Sequence, residues 1–312
     1  MKVLLVGCGS AGKRHLNNLI RIPAVRHIFV YSKVKNCLSG LKDTHKVSLI
    51  RSLNDVQVDL AIIANETYKH VDTALALAKK GIHLFIEKPL SHCLSAKIRL
   101  LKRISRRNKV ILGIGYNLRY LGALKLIKSE LSRKTVGDVC FVKIEAGQYL
   151  PSWRTGRDYR FSYSASKKRG GGAALDLSHE IDYMRYLFGE PRYWKTVKAK
   201  VSGLKIDSDD IFEGVYVYDN FICNVHLDYL QRDKKRIIRI EGNKGRLICD
   251  LINKKITILS RGKKRKVTNK KLFDMDKTYS NEISGFVRSV IKNDAPLVTI
   301  EDGIRALELI EA

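Results

Sequence analysis

Residues 2–6 (KVLLV) form an almost unbroken apolar run, the pattern of a strand buried on both faces of a parallel sheet. A helical pattern follows, with Leu16, Leu19 and Ile20 on one side. The strand-then-helix phrase then recurs through HIFVYS (27–32), VDLAIIA (58–64), a helix ending at Gly81, HLFIEKPLS (83–91), a basic amphipathic helix and VILGIGYN (110–117). Such alternation predicts a doubly wound parallel sheet. From about residue 120 the pattern changes. A helix over 121–133 leads through Gly137 into DVCFVKIEAGQYL, and six more strand-like runs follow at 194–202, 210–219, 221–229, 236–245, 246–252 and 255–260. Tight turns at Asp219-Asn220 and Asn243-Lys244-Gly245 make them a large, mostly antiparallel sheet with one open face. Helices near 281–293 and 301–312 close the chain. The expectation is an α/β protein with a parallel-sheet domain over 1–118 and an α+β domain over 119–312.

A length of 312 residues suits two domains, and 45% hydrophobic residues is ordinary for a folded chain. No run approaches the roughly 20 apolar residues that span a bilayer. The opening MKVLLVGCGS is broken by glycines at once and reads as a first strand rather than a leader. Cys8, Cys37, Cys93, Cys140, Cys223 and Cys249 are scattered without a CxxC pair. That spacing argues for free thiols in a cytoplasmic setting and against a structural zinc or other metal. The net charge of +28 attracts anions, yet the basic runs at 102–109, 232–236 and 261–266 lie in separate segments without interleaved aromatics. Solvated faces explain them better than nucleic-acid binding, and nothing calls for a membrane.

The turn after the first strand is Gly7-Cys8-Gly9-Ser10-Ala11-Gly12, a G-x-G-x-x-G opening a helix. Gly7 suits the tight turn, Gly9 the approach of a pyrophosphate, and Gly12 close helix–strand packing. Ser10 and Ala11 offer first-turn N–H groups to the phosphates. In this context the motif reads as a Rossmann dinucleotide site. The acid that accepts a ribose 2′-hydroxyl about 20 residues on is missing. Tyr31-Ser32-Lys33-Val34-Lys35 stands there, and a hydroxyl followed by lysines suits the 2′-phosphate of NADP, favoured over NAD. Gly9, Asn65, Lys88 and Tyr116 fall at strand carboxyl ends, where such folds bind ligands, and should converge on one crevice. Lys88, with Glu87 before it and Pro89 behind, stands out among many lysines.

In the second half, Trp153, Arg154, Arg157 and Tyr159 sit in WRTGRDYR, before a Gly170-Gly171-Gly172 hinge. They either clamp a polar or anionic substrate or form a solvated loop. In the helix beyond, Leu177, Ile181, Met184 and Phe188 make an apolar stripe, with Asp176, His179 and Tyr183 on the adjacent polar face. An imidazole with a carboxylate three residues earlier is equipped for proton transfer, or the ring merely packs.

GCGSAGKRH (7–15), EKP (87–89), GYNLRY (115–120), GGGAALDLSHEIDYMRYLFG (170–189) and IEGNKGRL (240–247) together resemble the Gfo/Idh/MocA family, the glucose–fructose oxidoreductase and inositol dehydrogenase group. The resemblance covers essentially the whole chain, with the motifs in the family's order. It implies a nicotinamide-dependent oxidoreductase acting at a hydroxyl-bearing carbon of a sugar, and a homodimer or homotetramer. It implies catalytic roles for Lys88 and His179, cofactor contacts from Glu87 and Lys88, and substrate contacts from Tyr116 and Arg119. The family's Asp lies four residues before that His, whereas Asp176 lies three before His179, so Asp176 either orients the ring or merely begins the helix. The wording of WRTGRDYR and DLSHEIDYMRYLFGE is similar to members from surface-polysaccharide and sialic-acid-like sugar biosynthesis, implying a nucleotide-linked or acidic sugar. A non-catalytic sensor of cofactor or sugar is the competing reading, and intact Lys88 and His179 count against it.

Overall fold

The computed structural model describes residues 1–34, 38, 45–53, 56–154 and 156–311. Lys35, Cys37, Thr155 and Ala312 lie outside the described residues. The chain forms two compact units, Met1–Asn117 with Asp276–Leu307, and Leu118–Met275 with Glu308–Ala312.

The first unit runs β1 (Lys2–Val6), α1 (Ser10–Ile20), β2 (His27–Tyr31), β3 (Val47–Ile50), β4 (Leu60–Ile63), α2 (His70–Lys79), β5 (His83–Ile86), α3 (Ala96–Arg107) and β6 (Leu112–Ile114). All six strands are parallel, in the order β3-β2-β1-β4-β5-β6. The order reverses between β1 and β4, which places a switch point at their carboxyl ends. Val3, Leu4, Leu5 and the whole of β4 are fully buried, as their unbroken apolar character requires. β5 is shorter than the run 83–91 suggested, because it ends at Ile86 and the chain turns through Glu87-Lys88-Pro89.

The second unit runs α4 (Gly122–Ser132), β7 (Val139–Gly147), α5 (Ala173–Asp176), α6 (His179–Phe188), β8 (Tyr193–Ala199), β9 (Ile211–Val217), β10 (Ile222–Asp228), β11 (Lys235–Gly242), β12 (Gly245–Asp250), β13 (Lys255–Ser260) and β14 (Lys263–Val267). Its eight strands pair in the order β14-β13-β12-β11-β7-β10-β9-β8, and only the β7–β10 pair is parallel. Apolar residues alternate inward along β9 and β10, as a half-buried sheet demands. Between β7 and α5 the chain makes a strap of short 3₁₀ turns from Leu150 to Arg169.

α7 (Met275–Lys292) and α8 (Ile300–Glu311) close the chain. By packing, part of this closing segment groups with the first unit. Ile283, Phe286 and Val287 of α7 share one buried cluster with Val3, Leu5, Ile28 and Ile62, and Val298 O accepts from Ile114 N–H. Residues 276–307 therefore belong to the first unit: an amphipathic stripe shows that a helix buries a face, not against what. Among the described residues no helix is long and apolar enough to cross a membrane.

Candidate active site

The glycine turn has the geometry a dinucleotide needs. Gly7 holds φ +91°, and a Cβ there would lie 2.6 Å from Ala64 O; one on Gly12 would lie 2.1 Å from Gly7 O. Over Gly9 there is open space, with no atom within 4 Å of an added Cβ. Ser10 and Ala11 begin α1, whose first-turn N–H groups have no helical acceptor of their own. A pyrophosphate fits this cradle. After β2, Ser32 Oγ accepts the Val34 N–H at 3.1 Å and Lys33 is exposed.

At the neighbouring strand ends, Asn65 Nδ2 donates to Thr73 Oγ1 at 3.0 Å. Glu87 is buried; its Oε1 lies 2.5 Å from His15 Nε2, and its Oε2 accepts the Lys88 N–H at 3.1 Å. Burial alone would raise the Glu87 pKa, but the bond to His15 and the charges of His15 and Lys88 outweigh it and hold the carboxyl below its usual range. Lys88 is half-buried and its bond to Pro89 is cis. His70 lies between Pro89 O (2.9 Å from Nδ1) and Asn65 O (3.1 Å from Nε2), which ties the Lys88–Pro89 turn to the end of β4. Burial lowers the pKa of this imidazole. Gly9, Asn65 and Lys88 thus line one edge of the sheet. Tyr116 follows β6 but is fully buried, so its ring is core rather than the open substrate contact expected of it.

In the second unit His179 opens α6 and Asp176 ends α5. The expected single helix is broken at Leu177-Ser178, so the wheel that placed Asp176, His179 and Tyr183 on one polar face is wrong, and Tyr183 is fully buried. Asp176 Oδ2 accepts from Tyr229 Oη at 2.6 Å. The negative charge of Asp176, with burial, pushes the Tyr163 phenol far above its usual pKa. Gly172, expected in a hinge, is instead pressed against Asp209: an added Cβ would lie 2.2 Å from that carboxylate. Arg119, expected to touch substrate, is buried and spent on Asp182, with Nε and Nη2 donating at 2.7–3.1 Å. A guanidinium this deep needs a carboxylate of its own. Trp153, Arg154, Arg157 and Tyr159 line one cavity of about 300 Å³ within the strap. Among the described residues no three His, Cys, Asp or Glu side chains cluster as a metal site would need.

Residues 1–116 match the oxidoreductase family's NAD-binding Rossmann fold, and residues 128–312 match its C-terminal alpha/beta domain. The chain belongs to the Gfo/Idh/MocA oxidoreductase family. Myo-inositol 2-dehydrogenase of Thermotoga maritima is 24% identical to it, across 99% of this chain and 94% of that protein. Among solved structures, levoglucosan dehydrogenase in complex with NADH and levoglucosan superposes with a TM-score of 0.84 at 18% identity, covering 99% and 96% of the two chains. UDP-N-acetylglucosamine 3-dehydrogenase from Acidithiobacillus ferrooxidans superposes at 0.77 with 18% identity, covering 99% and 94%. This Gfo/Idh/MocA chain is thus an oxidoreductase with an NAD-binding first unit. Sequence reasoning missed His15, His70, Tyr163 and Tyr229 as supports. Only His15 carried a signal, as a histidine one turn past Gly12 inside the quoted GCGSAGKRH.

Proposed function

We propose that this protein is a sugar dehydrogenase or reductase whose substrate is a nucleotide-linked or acidic sugar of surface-glycan biosynthesis, with NADP(H) preferred over NAD(H). The observation that carries the chemistry is an intact Glu87-Lys88-Pro89 strand end in a chain that also keeps His179 at the head of α6. A sensor has no use for a proton relay. The names of the relatives support the substrate class: myo-inositol, levoglucosan and UDP-N-acetylglucosamine all carry secondary ring hydroxyls. Ser32 and Lys33, in a stretch (31–35) without an acid, support the 2′-phosphate. Free thiols at Cys140, Cys223 and Cys249 go with a cytoplasmic setting.

Gly7, Gly9, Ser10, Ala11 and Gly12 hold the pyrophosphate, Ser32 and Lys33 the adenosine ribose, and Asn65, Glu87 and Lys88 border the nicotinamide end. When bound, the dinucleotide supplies or accepts the hydride at the hydroxyl-bearing carbon. His179 takes the hydroxyl proton in the oxidative direction and returns it in the reductive one. The Lys88 ammonium is the donor that stabilises negative charge developing on a substrate oxygen. Glu87 fixes Lys88 through its backbone N–H. Asp176, held by Tyr229, positions the turn that leads into His179. Tyr193, Val197, Val215 and Ile222, 42–62% exposed on one face of β8–β10, support a homodimer or homotetramer.

The test is a fluorescence titration with NADPH and NADH, followed by nucleotide sugars and uronic acids while nicotinamide absorbance is read. NADPH binding more tightly than NADH and a sugar-dependent absorbance change are expected. Lys88→Met should abolish turnover while sparing cofactor binding. Turnover like that of the wild type in Lys88→Met sinks the assignment of Lys88, and no nucleotide binding at all sinks the reading.

A further inference from the structure

The cavity in the strap is built for an anion with a flat apolar face. Its charge is set by three residues. Asp158 is already claimed, since its carboxylate accepts from the Arg160 backbone N–H at 2.9 Å and from Arg160 Nε–H at 2.8 Å. Arg154 and Arg157 also line it, and among the described residues neither has a carboxylate partner. Arg154 stands over the Tyr163 ring at 5.3 Å. Elsewhere in this unit Arg119, Arg185, Arg236, Arg239 and Arg265 are each spent on a carboxylate. The cavity therefore keeps two uncommitted guanidinium groups, the chemistry of phosphate recognition.

The remaining walls are aromatic and short of free hydrogen-bonding groups. Trp153 Nε1–H donates to Gln148 O at 2.9 Å, and its ring stands edge-on to Tyr229 with centroids 5.1 Å apart. Ser162 Oγ–H donates to Tyr159 O at 2.6 Å, and Tyr159 Oη accepts the Lys205 N–H at 3.2 Å. Phe161 leaves 80% of its surface exposed at the rim, and its carbonyl accepts from Arg169. A neutral sugar needs paired donors and acceptors, and apart from the two arginines this lining offers few of either. A planar base needs ring faces, which Trp153 and Phe161 offer. The volume of about 300 Å³ is at the small end of ligand sites, enough for part of a larger substrate.

We propose that this cavity seats the nucleoside diphosphate of the substrate, with Arg154 and Arg157 on the diphosphate and the base against Trp153 and Phe161. The assignment rests on the nucleotide-sugar reading above and gives that reading its residues. It makes the cavity a site of affinity and selection.

The test uses the full chain saturated with NADH, so that the dinucleotide site is filled, and titrates UDP, dTDP, GDP and ADP by calorimetry. Inorganic diphosphate and the free nucleosides are run beside them. At least one nucleoside diphosphate binds one-to-one, and its two halves bind at least tenfold more weakly. Arg154→Gln with Arg157→Gln weakens that binding at least tenfold and leaves NADH affinity unchanged. Arg157→Gln alone, at an exposed position, weakens it in the same direction and serves if the pair impairs folding. If none of the four diphosphates binds, or if the double substitution costs less than tenfold, the cavity assignment falls. Turnover of a free sugar with normal dinucleotide binding and no nucleoside diphosphate binding overturns the cavity alone, whereas binding of neither NADPH nor NADH overturns the dehydrogenase reading itself.

Discussion

Tyr229 donates its phenolic hydrogen to Asp176 Oδ2 at 2.6 Å and accepts the Gly172 N–H at 3.2 Å. One buried hydroxyl thus ties the residue after β10 to both ends of α5. Burial first, then the charge of Asp176, hold this phenol far above its usual pKa, so it stays a donor throughout the working range.

Tyr229→Phe keeps the ring against Trp153 and removes only the hydroxyl. A buried carboxylate oxygen and a buried backbone N–H then each lose a partner. At about 1–3 kcal/mol for each such group, stability falls by about 2–6 kcal/mol. Urea unfolding of the second unit, followed by tryptophan fluorescence, reads the change. A loss below about 0.5 kcal/mol would mean that water replaces the hydroxyl and that the Asp176 turn is not held by Tyr229.

His179→Asn preserves much of the side chain's shape and removes the imidazole. General acid–base catalysis is worth about 10²- to 10⁴-fold, so kcat falls by at least about 10² while the dissociation constant for the nicotinamide nucleotide holds. The paired measurement of kcat and nucleotide affinity decides the matter. Equal losses in both would point to a collapsed fold, and an unchanged kcat would remove His179 from the chemistry.

Ser32→Asp places a carboxylate where the 2′-phosphate is proposed to sit. Two like charges near 4 Å at the protein surface repel by about 1–4 kcal/mol, so NADPH affinity drops about tenfold or more. NADH gains an acceptor for its 2′-hydroxyl and binds at least as well as before. Titration of both nucleotides against wild type and variant gives the ratio directly, and a ratio that does not move refutes the Ser32–Lys33 reading.

How much of this was legible in the chain depends on where each residue is buried. β1 and β4 announced themselves because strands covered on both faces are unbroken apolar runs. β3 did not: it is a four-residue edge strand with Leu49 59% exposed. β14 reads KKRKV, a basic run by composition, and is a strand only because the edge of β13 supplies its hydrogen bonds. The helix carrying His179 was visible, but its periodicity ran on through a two-residue break that separates Asp176 from it. Arg119 and Arg157 are the same residue type, and both were expected to touch substrate. What divides the buried ion pair from the uncommitted cation is Asp182, 63 residues further along the chain, and no local pattern encodes that distance.

Glu87 and His15 make an acid-sensitive lock in the first unit. The folded Glu87 pKa lies below its unfolded value of about 4.3, so its contribution is present above that pH and is lost as pH falls through the folded value. Glu87→Gln removes the charge from a buried pair and should cost about 2–4 kcal/mol at pH 7. The gap between wild type and variant should shrink below about pH 4. Thermal unfolding at pH 7, 5 and 3.5 tests it; a gap that is constant with pH would show that shape, not charge, holds the pair.

His226 carries the opposite sign. Its Nε2 lies 2.9 Å from Asp228 Oδ2 and its Nδ1 2.5 Å from Glu213 Oε1, on the same face of the large sheet as Glu145, which pairs with Lys235. The bond to Asp228 leads, partial burial opposes it, and Glu213 adds to it, which raises the imidazole from 6.5 to about 9. A raised folded pKa means that the stabilisation is complete below about pH 6.5 and disappears as pH climbs through about 9. With the ring a quarter exposed, solvent screening leaves about 1–2 kcal/mol of it. His226→Gln cannot take up the proton, so wild type should exceed it in stability at pH 6 and match it near pH 10. The face holding this imidazole also carries Val197 and Val215, so the comparison belongs at fixed protein concentration, with the oligomeric state measured at each pH. A difference that grows toward high pH would reverse the sign and show that His226 is held neutral between its two carboxylates.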